Sequence, residues 1–418
     1  MIGAALFRLS WGRSFPARDD PLLDIPHTLG YVYFFREKRM MIRPISLTLA
    51  LASLTIPALA QADLASARFA PNCGNLTAAP IFESSKMNTG AYGVTNPLVV
   101  SDPDIVLIGN QWWMIFATGP AANPKRAIEP FAAYLPPGAS LATTTTYPSD
   151  PNGWHLVGAQ ADGKGIAVAV APNPSPAGWD RIAAETPSVD VGPDGKVNIY
   201  YAAHNDGQTA FVVGLQKDFN TKTGTATGVP DPVMVAEKPW EFSNHLGAIL
   251  EQSVRWMPQL HKYIMYYTAG GWWTTPPDNQ IGYAESTDGI HWNNRQKLDF
   301  PAAYYNQDFL YNKTRKRYEM VIAKDPTGVG GGRARDLVWL DAATPATKMA
   351  DWHNEVTLLQ HDAPNNAPFY ASGLLSPAIR YGNLPGEENR IYVFFHTYTT
   401  TGAMYIGRFY CDAVTPKP

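Results

Sequence analysis

Two acidic residues stand where acid–base chemistry could be done. Asp102 opens the stretch Asp102-Pro-Asp-Ile-Val-Leu-Ile, and Glu251 opens Glu251-Gln-Ser-Val-Arg-Trp. Each leads a short apolar segment, a turn and an aromatic-rich segment, and three further stretches with that outline begin at Thr186, Asn306 and Ser376. Five polar residues therefore head five similar units, and two of the five are carboxylic acids. Two carboxyl groups at one place can divide the work of breaking a C–O bond: one protonates the leaving oxygen, the other activates water or attacks carbon. Asp104 and Asp308, two residues into their units, add acidic groups close by. Asp-Pro also merely begins turns, so the assignment depends on the elements that carry these residues.

Those elements repeat. The paired segments are 102–108 with 111–117, 186–191 with 196–202, 251–256 with 262–268, 306–311 with 317–323, and 376–381 with 390–396. Turns such as Gly192-Pro-Asp-Gly195 and Asn312-Lys-Thr-Arg315 carry hairpin chemistry. A second element follows the hairpin: residues 280–286 and then Trp292 in the third unit, residues 140–146 and then Trp154 in the first. It reads as a third strand, a turn, and a tryptophan opening an outermost strand. Four strands per unit, with units roughly 60–80 residues apart, predict the blades of a propeller. No stretch sustains helical periodicity. The expectation is an all-β, five-bladed β-propeller with four-stranded blades over residues 63–418. The first strand of each blade lines the tunnel, so the five leading residues ring its mouth.

Composition agrees with that architecture. Of 418 residues 45% are hydrophobic, 12% aromatic and only 17% charged, with 34 Gly and 36 Pro to supply turns. A formal charge of −3 gives no basic footprint for nucleic acid. The 12 Trp and 21 Tyr suit either a β core or stacking on sugar rings. No Cys/His cluster has zinc spacing, there is no Gly-x-Ser-x-Gly elbow, and the glycine-rich run 324–335 lacks phosphate-loop spacing. No cofactor is expected, although a tunnel could hold a structural Ca²⁺. At the N-terminus a basic stretch, 38–43, precedes an uncharged apolar run, 45–59, and small-x-small sites at Ala58-Leu59-Ala60 and Ala60-Gln61-Ala62. This predicts a signal peptide over 40–62, translation from Met40 or Met41, and a miscalled extension over 1–39. The mature chain is then secreted or periplasmic and free of the membrane. Its two cysteines, Cys73 and Cys411, flank the seam where first and last blades meet, and an oxidising compartment predicts a bridge there.

With Ser101-Asp102-Pro103-Asp104 before the Trp112-Trp113 strand, and Leu250-Glu251-Gln252-Ser253 before Tyr263–Tyr267, the chain resembles the five-bladed glycosidases. The resemblance is above all to glycoside hydrolase family 43, with families 32, 62 and 117 as relatives, and it spans the mature chain. It implies hydrolysis of arabinose-, xylose- or galactose-type glycosides, with Asp102 as general base and Glu251 as general acid. An inverting mechanism would set the carboxyls about 6.5–9.5 Å apart. The family's third carboxylate, an Asp before Pro in blade two, is replaced here by Thr186-Pro187; Glu185, Asp190, Asp104 and Asp308 are the candidates to substitute. Asp104, His245, Trp272, Trp273, Asn306 and Asp308 are the expected sugar contacts, and the loops 271–277 and 328–335 should share the rim with Asp102 and Glu251. Two other readings remain: a silent carbohydrate-binding or scaffold propeller, which Thr186 favours, and a sialidase-like enzyme, suggested by Ser286-Thr-Asp-Gly-Ile-His-Trp292.

Overall fold

The computed structural model describes residues 71–73, 78–87, 99–119, 128–158, 170, 174–205, 210–271, 278–328, 335–362, 368–370, 373–399 and 402–413. The leader read over residues 1–62, and both Trp272 and Trp273, lie outside them.

Five antiparallel sheets follow one another along the chain. Blade one pairs Val99–Ile108, Gln111–Gly119, Glu129–Tyr134 and His155–Leu156 in that order outward. Blade two runs Ala183–Val191, Val197–His204, Val212–Asn220, Thr225–Gly228, and blade three Ile249–Met257, Lys262–Ala269, Gln280–Ser286, Asn293–Lys297. Blade four runs Tyr304–Asn312, Arg317–Lys324, Asp336–Ala342, His353–Leu359. Blade five has Leu374–Tyr381, Arg390–Tyr398 and Met404–Ala413, and its outer edge is covered by the N-terminal strands Ala79–Glu83 and Pro71–Asn72. The ring is thus closed by the chain's two ends, which removes the free edges of an open array. Cys73 and Cys411 are bonded at this seam, with Cα atoms 4.5 Å apart.

The core lies between blades rather than within one. Each blade is covered on both faces, so its strands read as nearly unbroken apolar runs, and alternate residues go to opposite neighbours. Trp112 and Met114 of blade one pack with Tyr392 and Phe394 of blade five, while Trp113 and Ile115 pack with Val189 and Ile199 of blade two. Tyr267 and Met265 turn toward blade two, Tyr266 and Ile264 toward blade four. Gly282 lies against the ring of Tyr267, so close that a Cβ there would stand 2.3 Å from it.

One strand lies elsewhere than its composition suggested. Blade one takes its third strand from Glu129–Tyr134, not from the threonine-rich 140–146, which forms turns and meets Trp154 through the carbonyls of Thr143 and Thr145 and a bridge at Thr146. Pro130 within that strand conceals it, because proline cannot donate to a ladder and demotes a stretch read by propensity alone.

Candidate active site

The innermost strand of every blade carries a bulge at the same place. Between Ser101 and Asp104 the chain takes three steps while its partner takes two, and the same one-residue excess recurs before Ser188, Ser253, Gln307 and Ala378. At each bulge the leading residue has a left-handed backbone: φ is 52° at Asp102, 49° at Thr186, 51° at Glu251, 50° at Asn306 and 43° at Ser376. Non-glycine residues pay for that conformation, about 1–3 kcal/mol each, and such strain collects at functional sites. Here it turns five polar side chains inward to one mouth. Pro103, Pro187 and Pro377 follow three of them, where a bulge makes the missing N–H harmless. In the other two blades a glutamine follows and donates to the preceding blade's leading carbonyl: Gln252 to Thr186 (2.5 Å) and Gln307 to Glu251 (2.7 Å). The space enclosed among the leading residues and the two positions behind them is about 30 Å³. That is room for a water and not for a sugar ring, so a sugar would sit above.

Asp102 and Glu251 come together through Ser376. The Ser376 hydroxyl lies 2.6 Å from Asp102 Oδ1 and 3.2 Å from Glu251 Oε2, and Asn306 Nδ2 donates to it at 2.7 Å. A hydroxyl has one proton and two lone pairs. If that proton goes to Asp102, the contact with Glu251 is satisfied when Glu251 is the protonated donor. The electrostatics favour that arrangement. Burial, then the charges of Asp102 and Glu185, pushes the Glu251 carboxyl well above the usual range. Burial opposes the ionised form of Asp102 too, but the charge of His396 and hydrogen bonds from His396, Ser376 and Ser101 outweigh it and hold the carboxyl low. His396 Nδ1 is 3.0 Å from Asp102 Oδ1 and 3.2 Å from its amide nitrogen, and Ser101 Oγ donates to Oδ2 at 2.8 Å. On the other carboxyl, Tyr305 Oη donates to Glu251 Oε1 at 3.2 Å.

A third carboxylate is present, one residue before Thr186. Burial, reinforced by the charge of Asp102, raises Glu185 to about 8, and Glu185 in turn raises Glu251. Thr186 itself presents its carbonyl to Gln252, and its Oγ1 has no hydrogen-bond partner.

Asp104 and Asp308 are brought to the axis, but beneath the mouth and already engaged. Asp104 accepts from the amides of Ile105 and Val189 (each 2.7 Å) and from Arg255 (3.0 and 3.1 Å) and Arg380. Asp308 accepts from Arg255 (2.6 Å), Ser253 (2.5 Å), Arg380 (2.8 Å) and the Ile379 amide (2.9 Å). Both carboxylates are engaged by protein donors, and through them they fasten blades one, two, three, four and five around the axis. The same guanidiniums make the donor set at this level a poor fit for Ca²⁺, because the negative charge is already matched by two fixed cations.

Asn306 stays at the mouth, with Oδ1 lacking a hydrogen-bond partner. His245 does not join it. Asn244 and His245, with φ of 48° and 69°, form the two-residue turn of a type I′ hairpin between Phe242–Ser243 and Leu246–Gly247, and His245 projects from its exposed tip. Asp278 ties that hairpin to the adjoining loop, accepting from Ser243 Oγ (3.1 Å) and the Gly271 amide (2.5 Å). The described ends of loops 271–277 and 328–335 lie on the Glu251 rim: Gly270 bonds Ala248, and the carbonyl of Arg335 accepts from the amide of Leu374. Sequence reasoning named Glu185 only as one of four candidates for the third carboxylate, and passed over Tyr305 and His396 as parts of the site. The first two flank leading residues, and His396 ends the aromatic run at 392–395, so each was signalled by position and not by motif.

No protein-family model matches the chain, and no curated protein matches it. Solved structures do. A glycoside hydrolase superposes with a TM-score of 0.51 at 12% identity, covering 76% of this chain and 87% of that one. The catalytic domain of the Coprinopsis cinerea GH62 alpha-L-arabinofuranosidase gives 0.50 at 8% identity, covering 82% and 96%. An N-acetylgalactosamine deacetylase from F. plautii, in complex with blood group B trisaccharide, gives 0.52 at 11% identity, covering 83% and 95%. At these identities the likeness is one of fold, and fold alone does not set chemistry.

Proposed function

We propose that this protein is an exported glycoside hydrolase acting at the propeller mouth on arabinose-, xylose- or galactose-type poly- or oligosaccharides. Glu251 is the general acid, Asp102 the general base, and Glu185 the third carboxylate, which opposes loss of the Glu251 proton once it ionises itself. The observation that carries this reading is the Ser376 bridge between two carboxyls whose surroundings push their proton affinities apart, the arrangement that lets one act as acid while its neighbour acts as base. The propeller glycosidases among the structural neighbours support it at the level of fold.

In the resting site the nearest oxygens of Asp102 and Glu251 can be no further apart than the two Ser376 contacts, 2.6 and 3.2 Å, laid end to end. Inverting pairs hold their carboxyl groups ~6.5–9.5 Å apart with a water between, and here the Ser376 hydroxyl occupies that gap. An inverting attack needs the sugar to displace the hydroxyl and admit a water at Asp102. Assay of the purified chain against a panel of aryl glycosides and polysaccharides, with Asp102→Asn and Glu251→Gln as controls, tests the activity. Each amide should remove about 10²–10⁴-fold of turnover while the fold is kept. Wild-type rates in both variants, or no hydrolysis of any substrate, would return the protein to the silent-propeller reading. The anomer first released, read by NMR, tests the water step: a retained configuration makes Asp102 the nucleophile instead.

A further inference from the structure

Arg335 ends the rim loop of blade four, immediately before Asp336–Ala342, and is 1% exposed. Three other arginines of the ring bond carboxylates, Arg255 with Asp104 and Asp308, Arg380 with the same pair and Arg295 with Glu241, and buried Arg408 donates to the Ala142 carbonyl. Neither terminal nitrogen of Arg335 has a hydrogen-bond partner. Its guanidinium lies over the ring of Tyr305, 4.9 Å from the centroid, and the hydroxyl of that ring donates to Glu251. One aromatic ring therefore separates a buried guanidinium with two unpaired nitrogens from the general acid. Burial penalises the charged guanidinium and lowers its proton affinity, although Tyr305, Asp325, Tyr398 and Glu251 favour the charge from a distance.

A buried guanidinium with unpaired donors is costly in a native fold and calls for an explanation, of which a missing ligand is one. The guanidinium fork matches a planar carboxylate or the oxygens of a sulfate, and both donors are unspent. Among the described residues the rest of the mouth is acidic, with Asp102, Glu185 and Glu251. We infer that Arg335 recognises an anionic substituent on the sugar, the carboxylate of a uronic acid or a sulfate ester, so that the preferred glycan is acidic. This rests on the mouth being the sugar site proposed above and narrows the class of sugar it takes. A neutral sugar leaves the guanidinium stranded as it stands; an acidic one supplies the counter-charge in a setting screened from water, where such a pair is strongest.

The test is binding, which needs no turnover. The wild-type chain is titrated calorimetrically at low ionic strength with D-glucuronate, D-galacturonate and D-galactose 6-sulfate, and with D-glucose and D-galactose as neutral counterparts. At least one acidic sugar should bind about tenfold or more tightly than its neutral counterpart, as expected for a hydrogen-bonded charge pair. Comparison of the uronates with the sulfate identifies the anion. Arg335→Gln should erase the preference and Arg335→Lys keep part of it, with folding of each checked by circular dichroism. Equal affinities for acidic and neutral sugars, binding of none of them, or a preference that survives in a folded Arg335→Gln protein overturns the inference. The wild-type comparison alone decides if the variants do not fold. Hydrolysis of neutral glycosides without an acidic preference would sink this inference and leave the glycosidase reading intact; acidic-sugar binding without hydrolysis would do the reverse.

Discussion

The hydroxyl of Ser376 donates to Asp102 across 2.6 Å, joining the leading residue of blade five to that of blade one over the seam where the ring closes. Removing it in Ser376→Ala deprives the carboxylate of one of the donors that hold its proton affinity down. The acidic limb of the kcat/KM–pH profile should move upward, and kcat/KM at neutral pH should fall by about tenfold, the scale of one hydrogen bond to a charged group. Ser376→Thr, which keeps the hydroxyl, should retain most of the activity. An unmoved limb in the alanine variant would detach Ser376 from the base.

Glu185 sets a pH dependence of its own. Its carboxyl rises from 4.5 to about 8, chiefly by burial and then by the charge of Asp102, so the folded chain keeps a proton that the unfolded chain has lost across that interval. The stability this confers is complete below pH 4.5 and disappears as pH climbs through about 8. Asp190, raised to about 7 mainly by burial, acts in the same sense. Tm should therefore decline between pH 5 and 8, and Glu185→Gln should flatten the decline and raise Tm at pH 8. The same variant should shift the alkaline limb of activity downward, because Glu251 loses a neighbour that raises it. Differential scanning calorimetry across that range, beside a pH–rate profile, checks both effects.

Arg255 is the hub of the axis. Arg255→Met leaves Asp104 and Asp308 buried with only part of their counter-charge, and breaking a buried pair from one side typically costs about 3–5 kcal/mol. Urea denaturation should register that loss. A cost below about 1 kcal/mol would mean that Arg380 alone suffices.

The bridge at the seam closes a stretch of chain with a sequence separation of 338. Cys73→Ser with Cys411→Ser should lower stability by about 2–5 kcal/mol without changing kcat, because the bond lies at the outer edge of blade five, away from the mouth. Thermal melts and steady-state rates on the double variant separate these two effects.

Much of this was legible before any coordinates. The five leading residues could be aligned because each precedes the same apolar-turn-aromatic rhythm, and that register survives intact in the folded ring. What sequence could not convey was depth. Asp102 and Asp104 are two residues apart, yet a bulge sends one to the mouth and leaves the other among arginines. Arg255 and Arg380, each four residues beyond a leading position, look like solvent-facing charges in a strand; their partners come from other blades, and no local pattern records that. Glu185 was in view but could not be singled out from Asp190, Asp104 and Asp308, because it stands one residue short of where the family resemblance directs attention. Blade one's third strand was lost to its proline.

The closure by Ala79–Glu83 has one more consequence, for the order of events at the ribosome. The first described strands of the chain pair with Met404–Ala413, its last. A nascent chain must therefore carry those early strands unfastened until the strands of all the other blades have been made, and no complete blade five exists before then. Contacts of such long sequence range are slow to form, and edges left open meanwhile invite association with other chains. The ring has no first blade that can finish alone at the seam: its beginning waits for its end.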